Sequence, residues 1–427
     1  MRVLLVSAYE LGHQPLHVAS PAAALRSAGH DVRCLDLAVE QWRPEDVDWA
    51  ERVAFSVPMH TAMRLAVRAA EAVRRARPEL PVCFYGLYAP VSRDRTLGRL
   101  ADRLIAGEYE PALLRWVAGA DGDEPLVQLA RGSFELPARD LLPPLERYAH
   151  LAIGGEERLV GYVEASHGCV HMCRHCPIPS VYDGRIRIVG VDTVLADVEQ
   201  LVALGARHIT FGDPDFLNGV KHSRAVVREM HERFPELTFD CTTKVEHVLE
   251  FAHLWPELAA NGCLFVVMAV ELMNDEILDR LDKGHTAREA ADAVALLREH
   301  GIEPRQSLMP FTPWTTRADL EDIVDFVERH DLMGNVDPVQ FTIRLLVPEG
   351  SLLLELDDWE RGPYDADALS YPWESDLDDL QRRLAAIAEE GGPEAYSRMR
   401  AEIVGEPAQI AAGSVEGRPR LTEPWFC

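Results

Sequence analysis

Short apolar runs recur through the first 118 residues at a near-regular interval. Val3–Ser7, Val32–Leu35, Arg52–Ser56, Val82–Tyr85 and Arg103–Ala106 read as buried strands. Between them the apolar positions follow a helical period, as in Pro21–Ala28 and Thr61–Ala76, and Gly29 stands where a helix C-terminal cap belongs. Strands alternating with helices predict a parallel, doubly wound sheet, which binds ligands at the carboxyl ends of its strands. Those ends carry Tyr9–His13, Pro58–Thr61, Gly86–Ala89 and Gly107–Glu110. Residues 119–158 change to Gly, Pro and Asp punctuation and read as a linker draped over a neighbouring domain.

From Val160 the alternation resumes with a longer period. Candidate strands are Val160–Ala165, His208–Gly212, Leu237–Cys241, Cys263–Val270, Pro304–Leu308 and Val339–Leu345, with helical patterns after the first five. In Thr193–Leu204, Val194, Val198, Leu201 and Val202 share one face; Asp192 is the expected N-cap and Gly205 the stop. Residues 356–427 read as an acidic appendage with helices at Asp376–Glu390 and Tyr396–Val404 and an irregular tail, Gly413–Cys427. The fold class expected is α/β. A Rossmann-like doubly wound sheet (1–118) and a linker (119–158) precede a partial (β/α)6 barrel of TIM type (159–355), and a helical extension (356–427) follows.

Composition narrows the chemistry. The 427 residues carry 43 Lys and Arg against 70 Asp and Glu, a formal charge of −27, which disfavours nucleic acid and anionic membranes as partners. Glu10 interrupts the N-terminal apolar run before it reaches signal-peptide length, and the longest apolar run, Cys263–Val270, is far short of the roughly 20 residues of a membrane span. A cytoplasmic location is therefore expected. Of the eight cysteines, Cys169, Cys173 and Cys176 fall within eight residues; in a reducing compartment such clustering points to metal binding, not disulfides.

The cluster reads Glu164-Ala-Ser-His-Gly-Cys169-Val-His-Met-Cys173-Arg-His-Cys176, a Cys-x3-Cys-x2-Cys spacing directly after the first barrel strand. Three thiolates on one loop can hold three corners of a 4Fe–4S cube and leave one iron open to a ligand. The triad and its place resemble the radical S-adenosylmethionine superfamily. That resemblance implies a 4Fe–4S cluster whose open iron chelates S-adenosylmethionine, reductive cleavage to methionine and a 5′-deoxyadenosyl radical, and an electron donor such as flavodoxin or ferredoxin. Phe211-Gly212-Asp213-Pro214 resembles the superfamily's Gly-Gly-Glu-Pro motif, which makes Asp213 a candidate for the methionine amine; the alternative is a turn followed by an Asp helix cap. Glu271 resembles the acidic or amide residue found near the ribose, and Lys283-Gly284-His285-Thr286 a stretch common in these barrels, although it also suits a helix end. Arg305, Gln340 and Arg344 lie in candidate strands, where a buried arginine marks a ligand or an ion pair. Lys244 and Glu246 follow the third strand, and Cys241 and Cys263 read as small core residues.

The domain ahead of the barrel resembles the cobalamin-binding domain of many members. The family's Asp-x-His-x-x-Gly is absent, and only His13 and His17 lie near the corresponding loop. Two readings stand: cobalamin, or a domain that keeps the fold without it. The whole chain resembles a subgroup named for a Cys-Cys-Ala-Glu-Pro or Cys-selenocysteine-Ala-Glu-Pro tail, through Arg420-Leu-Thr-Glu-Pro-Trp-Phe-Cys427. A selenocysteine codon read as a stop would place Cys427 in a redox pair; the plain alternative is an idle terminal thiol. The expected activity is radical chemistry on a small molecule or peptide, with cobalamin-dependent methyl transfer to an unactivated carbon if cobalamin binds. The alternatives are methylthiolation of RNA or protein, and a non-catalytic zinc protein with a Cys3His site completed by His167, His171 or His175.

Overall fold

The computed structural model describes residues 1–91, 93–120, 122, 125–392, 394–408 and 417–423, so Cys427 lies outside the described residues. The N-terminal sheet contains β1 (Arg2–Ser7), β2 (Asp31–Asp36), β3 (Arg52–Ser56), β4 (Val82–Tyr85), β5 (Arg103–Gly107) and β6 (Val127–Gln128), all parallel, in the order β2-β1-β3-β4-β5-β6. The last of these comes from the segment expected to be linker. The first helix spans Leu16–Ser27, a turn more than the pattern suggested, because Pro21 sits inside it. A proline there leaves the His17 carbonyl without its helical donor; the Tyr85 hydroxyl donates to it instead, at 2.9 Å.

The second sheet is built from β7 (His150–Ile153), β8 (Glu156–Val163), β11 (His208–Phe211), β12 (Thr238–Thr243), β13 (Cys263–Glu271), β14 (Glu303–Leu308) and β15 (Arg420–Leu421), in the order β14-β13-β12-β11-β8-β7-β15. From β8 to β14 the pairs are parallel, whereas β7 and β15 are antiparallel additions. A small ribbon of β9 (Ser166–Gly168) and β10 (Ile186–Ile188) stands beside it. Five expected barrel strands are present. The sixth, Val339–Leu345, is not: Pro338–Thr342 forms a 3-10 turn, and a single bridge joins Phe311 to Arg344. The reason is local, since Pro338 starts the turn and the Gln340 side chain accepts from the Leu308 N–H at 2.9 Å, the donor a sixth strand would have used.

Two smaller expectations also change. Gly190, not Asp192, precedes the helix Val191–Ala203. The tail is not wholly irregular: β15 pairs with β7, and Leu421 is buried with Leu151, Val160, Phe265 and Val267. Its neighbours tie down both ends of the strand. Thr422 exchanges hydrogen bonds with His150, and the Tyr9 hydroxyl donates to Glu423 at 3.0 Å. Among the described residues no helix is long and apolar enough to cross a membrane.

Arg139 fixes the two sheets relative to one another. It sits in a 3-10 turn of the segment read as linker, with its side chain 1% exposed. The guanidinium grips both oxygens of Asp197 at 3.0 and 2.7 Å, donates to the Tyr162 carbonyl of β8 at 2.6 Å, and reaches Gln14 of the β1 loop at 3.3–3.4 Å. Removing one partner of such a pair strands the other charge in a low-dielectric interior, at a cost of about 3–5 kcal/mol. Arg139→Met is expected to lower urea stability by that order, and the double variant Arg139→Met/Asp197→Leu by clearly less than the two single losses combined.

Candidate active site

The cysteine loop begins where β8 ends. The Ala165 N–H and the Ser166 hydroxyl both donate to the buried Asp213 carboxylate, at 2.9 and 2.6 Å, and so set the direction in which the chain leaves the sheet. Burial, opposed by those two hydrogen bonds, raises the Asp213 carboxyl to about 7. At Gly168 the backbone is left-handed, with φ +75°, and a Cβ there would lie 2.3 Å from the Arg185 carbonyl oxygen, so the turn into Cys169 demands glycine. Beyond it, Asn218 Oδ1 takes the Val170 N–H at 3.4 Å and lies 3.8 Å from the Cys169 sulfur. On the far side of the mouth, the Arg174 N–H binds the Leu281 carbonyl and its guanidinium binds those of Asp279 and Arg280.

All three thiols are free; Cys169 and Cys173 are buried and Cys176 is half-buried. Burial raises the Cys169 thiol and pushes that of Cys176 up to about 12. Thiols in that state become ligands when a cation offsets the cost of their charge. Lys283 provides one nearby positive charge, since the field of Cys173 and Cys176 contributes to its own raised pKa. Three unpaired sulfurs on one loop suit a cluster with one open corner. The zinc alternative fails on its fourth ligand, because each candidate histidine faces elsewhere: His167 to Glu108 and Glu164, His171 to Lys244 and Asp215, His175 to Glu271.

Glu271 ends β13 at a register shift and is held at φ +66°, a strained conformation for a residue with a Cβ. The Lys283 ammonium donates to its carboxylate at 2.8 Å, and His175 Nε2 lies 3.5 Å away. Burial would raise this carboxyl, but Lys283 and His175 outweigh it and hold the group well below the usual carboxylate range. His285 beside them is pushed down to about 4, first by burial and then by Lys283, and stays neutral. Next to this pair lies a second group. Lys244 Nζ donates to His171 Nδ1 at 3.2 Å and to Glu246 at 3.1 Å, while His171 and His247 lie 3.6 and 2.9 Å from Asp215. Asp215 also caps the turn after β11 by accepting from the Leu217 N–H, and accepts from the Thr243 hydroxyl.

A third network spans the two sheets. Glu164 meets His17 and His167, each at 3.2 Å, and accepts from the Tyr162 hydroxyl; His167 continues to Glu108, which accepts from the Tyr182 hydroxyl. His17 Nδ1 is 2.8 Å from the Tyr109 hydroxyl. Burial pulls the His17 imidazole down, yet Glu164 and Glu10 outweigh it and raise it to about 9. Glu10 itself is pushed up to about 7 by burial. In the sequence Glu108 falls in a ligand-facing strand end and Glu164 heads the cysteine segment, but neither has an assigned role there; the signal for one is an acidic residue at the carboxyl end of a strand in each of the two sheets.

The remaining candidates are placed as follows. Arg305 is buried in an ion pair with Asp337 at 2.6 Å and donates to the Pro419 carbonyl, away from the cysteine loop. Arg344 pairs with Asp378 at 2.7 Å and lies over the Trp373 ring. Cys241 and Cys263 are buried neighbours in the core. His13 stacks on Tyr162 at 4.7 Å and is pushed down to about 4 by burial. Thus Cys169, Cys173, Cys176, Lys283 and Glu271 gather at one mouth, Asp213 stands behind the loop, and Arg305 lies apart.

Comparison with known proteins bears on the family and the fold. Residues 163–327 match the Radical SAM superfamily and form a domain of that superfamily. The hopanoid C-3 methylase of Methylococcus capsulatus is 25% identical over 339 residues, 70% of this chain and 62% of that protein. The ribosomal protein uS12 methylthiotransferase RimO of Geobacter sulfurreducens is 26% identical over 186 residues, 39% of each chain. The chain thus spans between 39% and 62% of the length of these two relatives. Among solved structures, the fold matches the cobalamin-dependent S-adenosylmethionine radical enzyme OxsB with aqua-cobalamin and S-adenosylmethionine bound, at TM-score 0.67 and 14% identity, over 94% of this chain and 70% of that one. It also matches the radical S-adenosylmethionine methyltransferase TsrM from Kitasatospora setae with tryptophan substrate and a S-adenosylmethionine analogue bound, at TM-score 0.66 and 18% identity, over 93% and 90%.

The His17 contacts make stability depend on pH. Its folded pKa, about 9, lies above the ordinary 6.5, so its contribution is complete below pH 6.5 and is lost as pH rises through 9. Chemical-denaturation midpoints should fall across that window in the parent. His17→Gln should flatten the fall.

Proposed function

We propose that this chain is a radical S-adenosylmethionine methyltransferase acting on an unactivated carbon of a small molecule. Cys169, Cys173 and Cys176 would hold an iron–sulfur cluster, and the carboxyl ends of β1, β3 and β4 would hold cobalamin. The observation that carries the reading is the convergence of three free thiols with the Lys283–Glu271 pair at one mouth. The likeness, over 94% of the chain, to an enzyme solved with aqua-cobalamin bound supports the second cofactor. When bound, these groups supply reductive cleavage of the S-adenosylmethionine sulfonium and a cobalt-borne methyl group.

The protein's share is binding, orientation and charge. Glu271, kept ionised by Lys283 and His175, is a permanent acceptor suited to sugar hydroxyls. Lys283 offsets negative charge on the thiolates of Cys173 and Cys176. Asp213 is a positioning residue in this reading: its oxygens are occupied by Ala165 and Ser166, so it directs the loop instead of meeting the methionine amine.

Two features bear on the fit of cobalamin. Leu11, Gly12, Pro58, Met59 and Leu87 leave a partly exposed, mostly apolar platform at the strand ends. The histidines near these strand ends already have protein contacts: both His17 nitrogens are engaged, His13 is stacked on Tyr162, and His60 Nε2 lies 2.7 Å from the Ala368 carbonyl.

The likeness to methylthiotransferases covers between 39% and 57% of the chain, against 70% for the hopanoid methylase, and the −27 charge opposes a ribosomal target. Anaerobic reconstitution should give about four irons per chain and release of 5′-deoxyadenosine under reductant. Cys169→Ala should lose both. Glu271→Gln should keep its iron while raising the KM for S-adenosylmethionine by about tenfold or more. Bound zinc without iron would overturn the reading.

A further inference from the structure

Beside the mouth, three elements bring metal-ligating side chains together. His171 belongs to the cysteine loop, Asp215 to the turn after β11, and His247 to the short helix Val245–Glu250 after β12. His171 Nε2 and His247 Nδ1 lie 3.6 and 2.9 Å from Asp215 Oδ2. The set offers one ligand atom from each residue, all within 4.8 Å of one another, and the two imidazole rings are 4.5 Å apart and tilted by 55°. The ligands of a tetrahedral ion with bonds of about 2.0–2.1 Å stand about 3.4 Å from each other. Small turns of the two rings therefore close this triangle on an ion.

The plain alternative is a hydrogen-bonded His–Asp–His chain, and it leaves atoms unanswered. His171 Nε2 and His247 Nδ1 are buried, and among the described residues neither makes a hydrogen bond, close as Asp215 is. Buried polar atoms are normally answered, and an exception points to an ion or a water between them. Asp215 is set up as a one-oxygen ligand. Its Oδ1 accepts from the Leu217 N–H at 3.0 Å and the Thr243 hydroxyl at 2.8 Å; its Oδ2 takes the Lys244 N–H at 3.2 Å and keeps a further lone pair. The other nitrogen of His171 has the partner that a metal-bound imidazole uses. Glu246 Oε2 is 3.8 Å from Nδ1, and ligating histidines donate their second N–H to a carboxylate. Lys244 Nζ, 3.2 Å from that nitrogen, is also held by Glu246 at 3.1 Å, so its charge stays answered when Nδ1–H turns to the carboxylate.

We propose that His171, Asp215 and His247 bind a divalent first-row transition ion, zinc being the best match, and leave its fourth position open. Two imidazoles and one carboxylate suit Zn²⁺, whereas Mg²⁺ and Ca²⁺ ask for oxygen alone. A three-ligand set of this kind takes a water or an oxygen of a second molecule in the remaining place. No thiol takes part, so the site is separate from Cys169, Cys173 and Cys176 and does not depend on what they hold. The rings bind as neutral donors, and any proton they carry leaves to solvent as the ion enters, with no change of oxidation state. The His171 side chain, 14% exposed, gives the ion a way in. Once bound, the ion ties the middle of the cysteine loop to the ends of β11 and β12.

The test is metal analysis of the full chain, with zinc as the probe. The reconstituted holoenzyme, dialysed against buffered zinc, should carry about one zinc per chain in addition to about four irons. His247→Gln keeps a hydrogen-bonding side chain in place of the ligand; it should keep its iron and bind zinc about a hundredfold more weakly. A chain with Cys169, Cys173 and Cys176 all changed to alanine should lose the iron and still bind about one zinc, with unchanged circular dichroism. A holoenzyme without zinc, equal zinc in parent and His247→Gln, or zinc lost with the thiols from a folded chain would each overturn the site. Zinc held by the alanine chain but not by His247→Gln, while the parent takes up no iron, leaves the site standing and removes the proposed reaction.

Discussion

One buried guanidinium organises the molecule. Arg139 has no water to solvate its charge, so every nitrogen it offers must be answered by the protein. The answers come from Asp197 at the second sheet's helical layer, the Tyr162 carbonyl on β8, and Gln14 in the loop after β1. Satisfying one residue therefore brings three distant segments to a single arrangement. The carboxyl ends of the N-terminal strands can then face the mouth of the barrel only in that relation. An apolar contact of similar area would be non-directional and would tolerate sliding.

The rest of the site depends on how charge is partitioned in the space this creates. Glu164 and Glu271 are ionised because cations meet them, whereas Glu10 and Asp213 are buried with weaker compensation and sit near neutrality. Carboxyl groups of similar chemistry thus serve different purposes within one interior: fixed negative poles at the mouth of the barrel and between the sheets, and hydrogen-bond anchors behind the loop. Strain accompanies this arrangement at Glu271, whose left-handed backbone is tolerated because the register shift and the Lys283 contact hold it.

Much of this was legible in the sequence. The five N-terminal strands are where the apolar runs lie, because buried parallel strands must be continuously apolar. The cysteine spacing stands out because few other chemistries ask for it. What escaped reading was set by partners far away in the chain. The apolar pattern at Val339–Leu345 is real, but a side-chain oxygen from Gln340 took the donor that a strand needed. The sequence leaves Arg305 open between a ligand and an ion pair, and only the fold supplies Asp337. The Glu164–His17–His167–Glu108 chain joins residues up to 150 positions apart, which no local period encodes. The tail's strand is two residues long, too short to announce itself without its neighbour β7.

That short strand has a consequence for biogenesis. β7 lies between β8 and β15, and β15 follows β14 in the chain only after residues 309–419. During synthesis the outer edge of β7 therefore stays unpaired while every other strand of its sheet has already left the ribosome. Until then Tyr9 and the apolar group of Leu151, Val160, Phe265 and Val267 also lack their last covering residues, Glu423 and Leu421. The nascent protein thus passes through a stage in which this side of the sheet is unsealed.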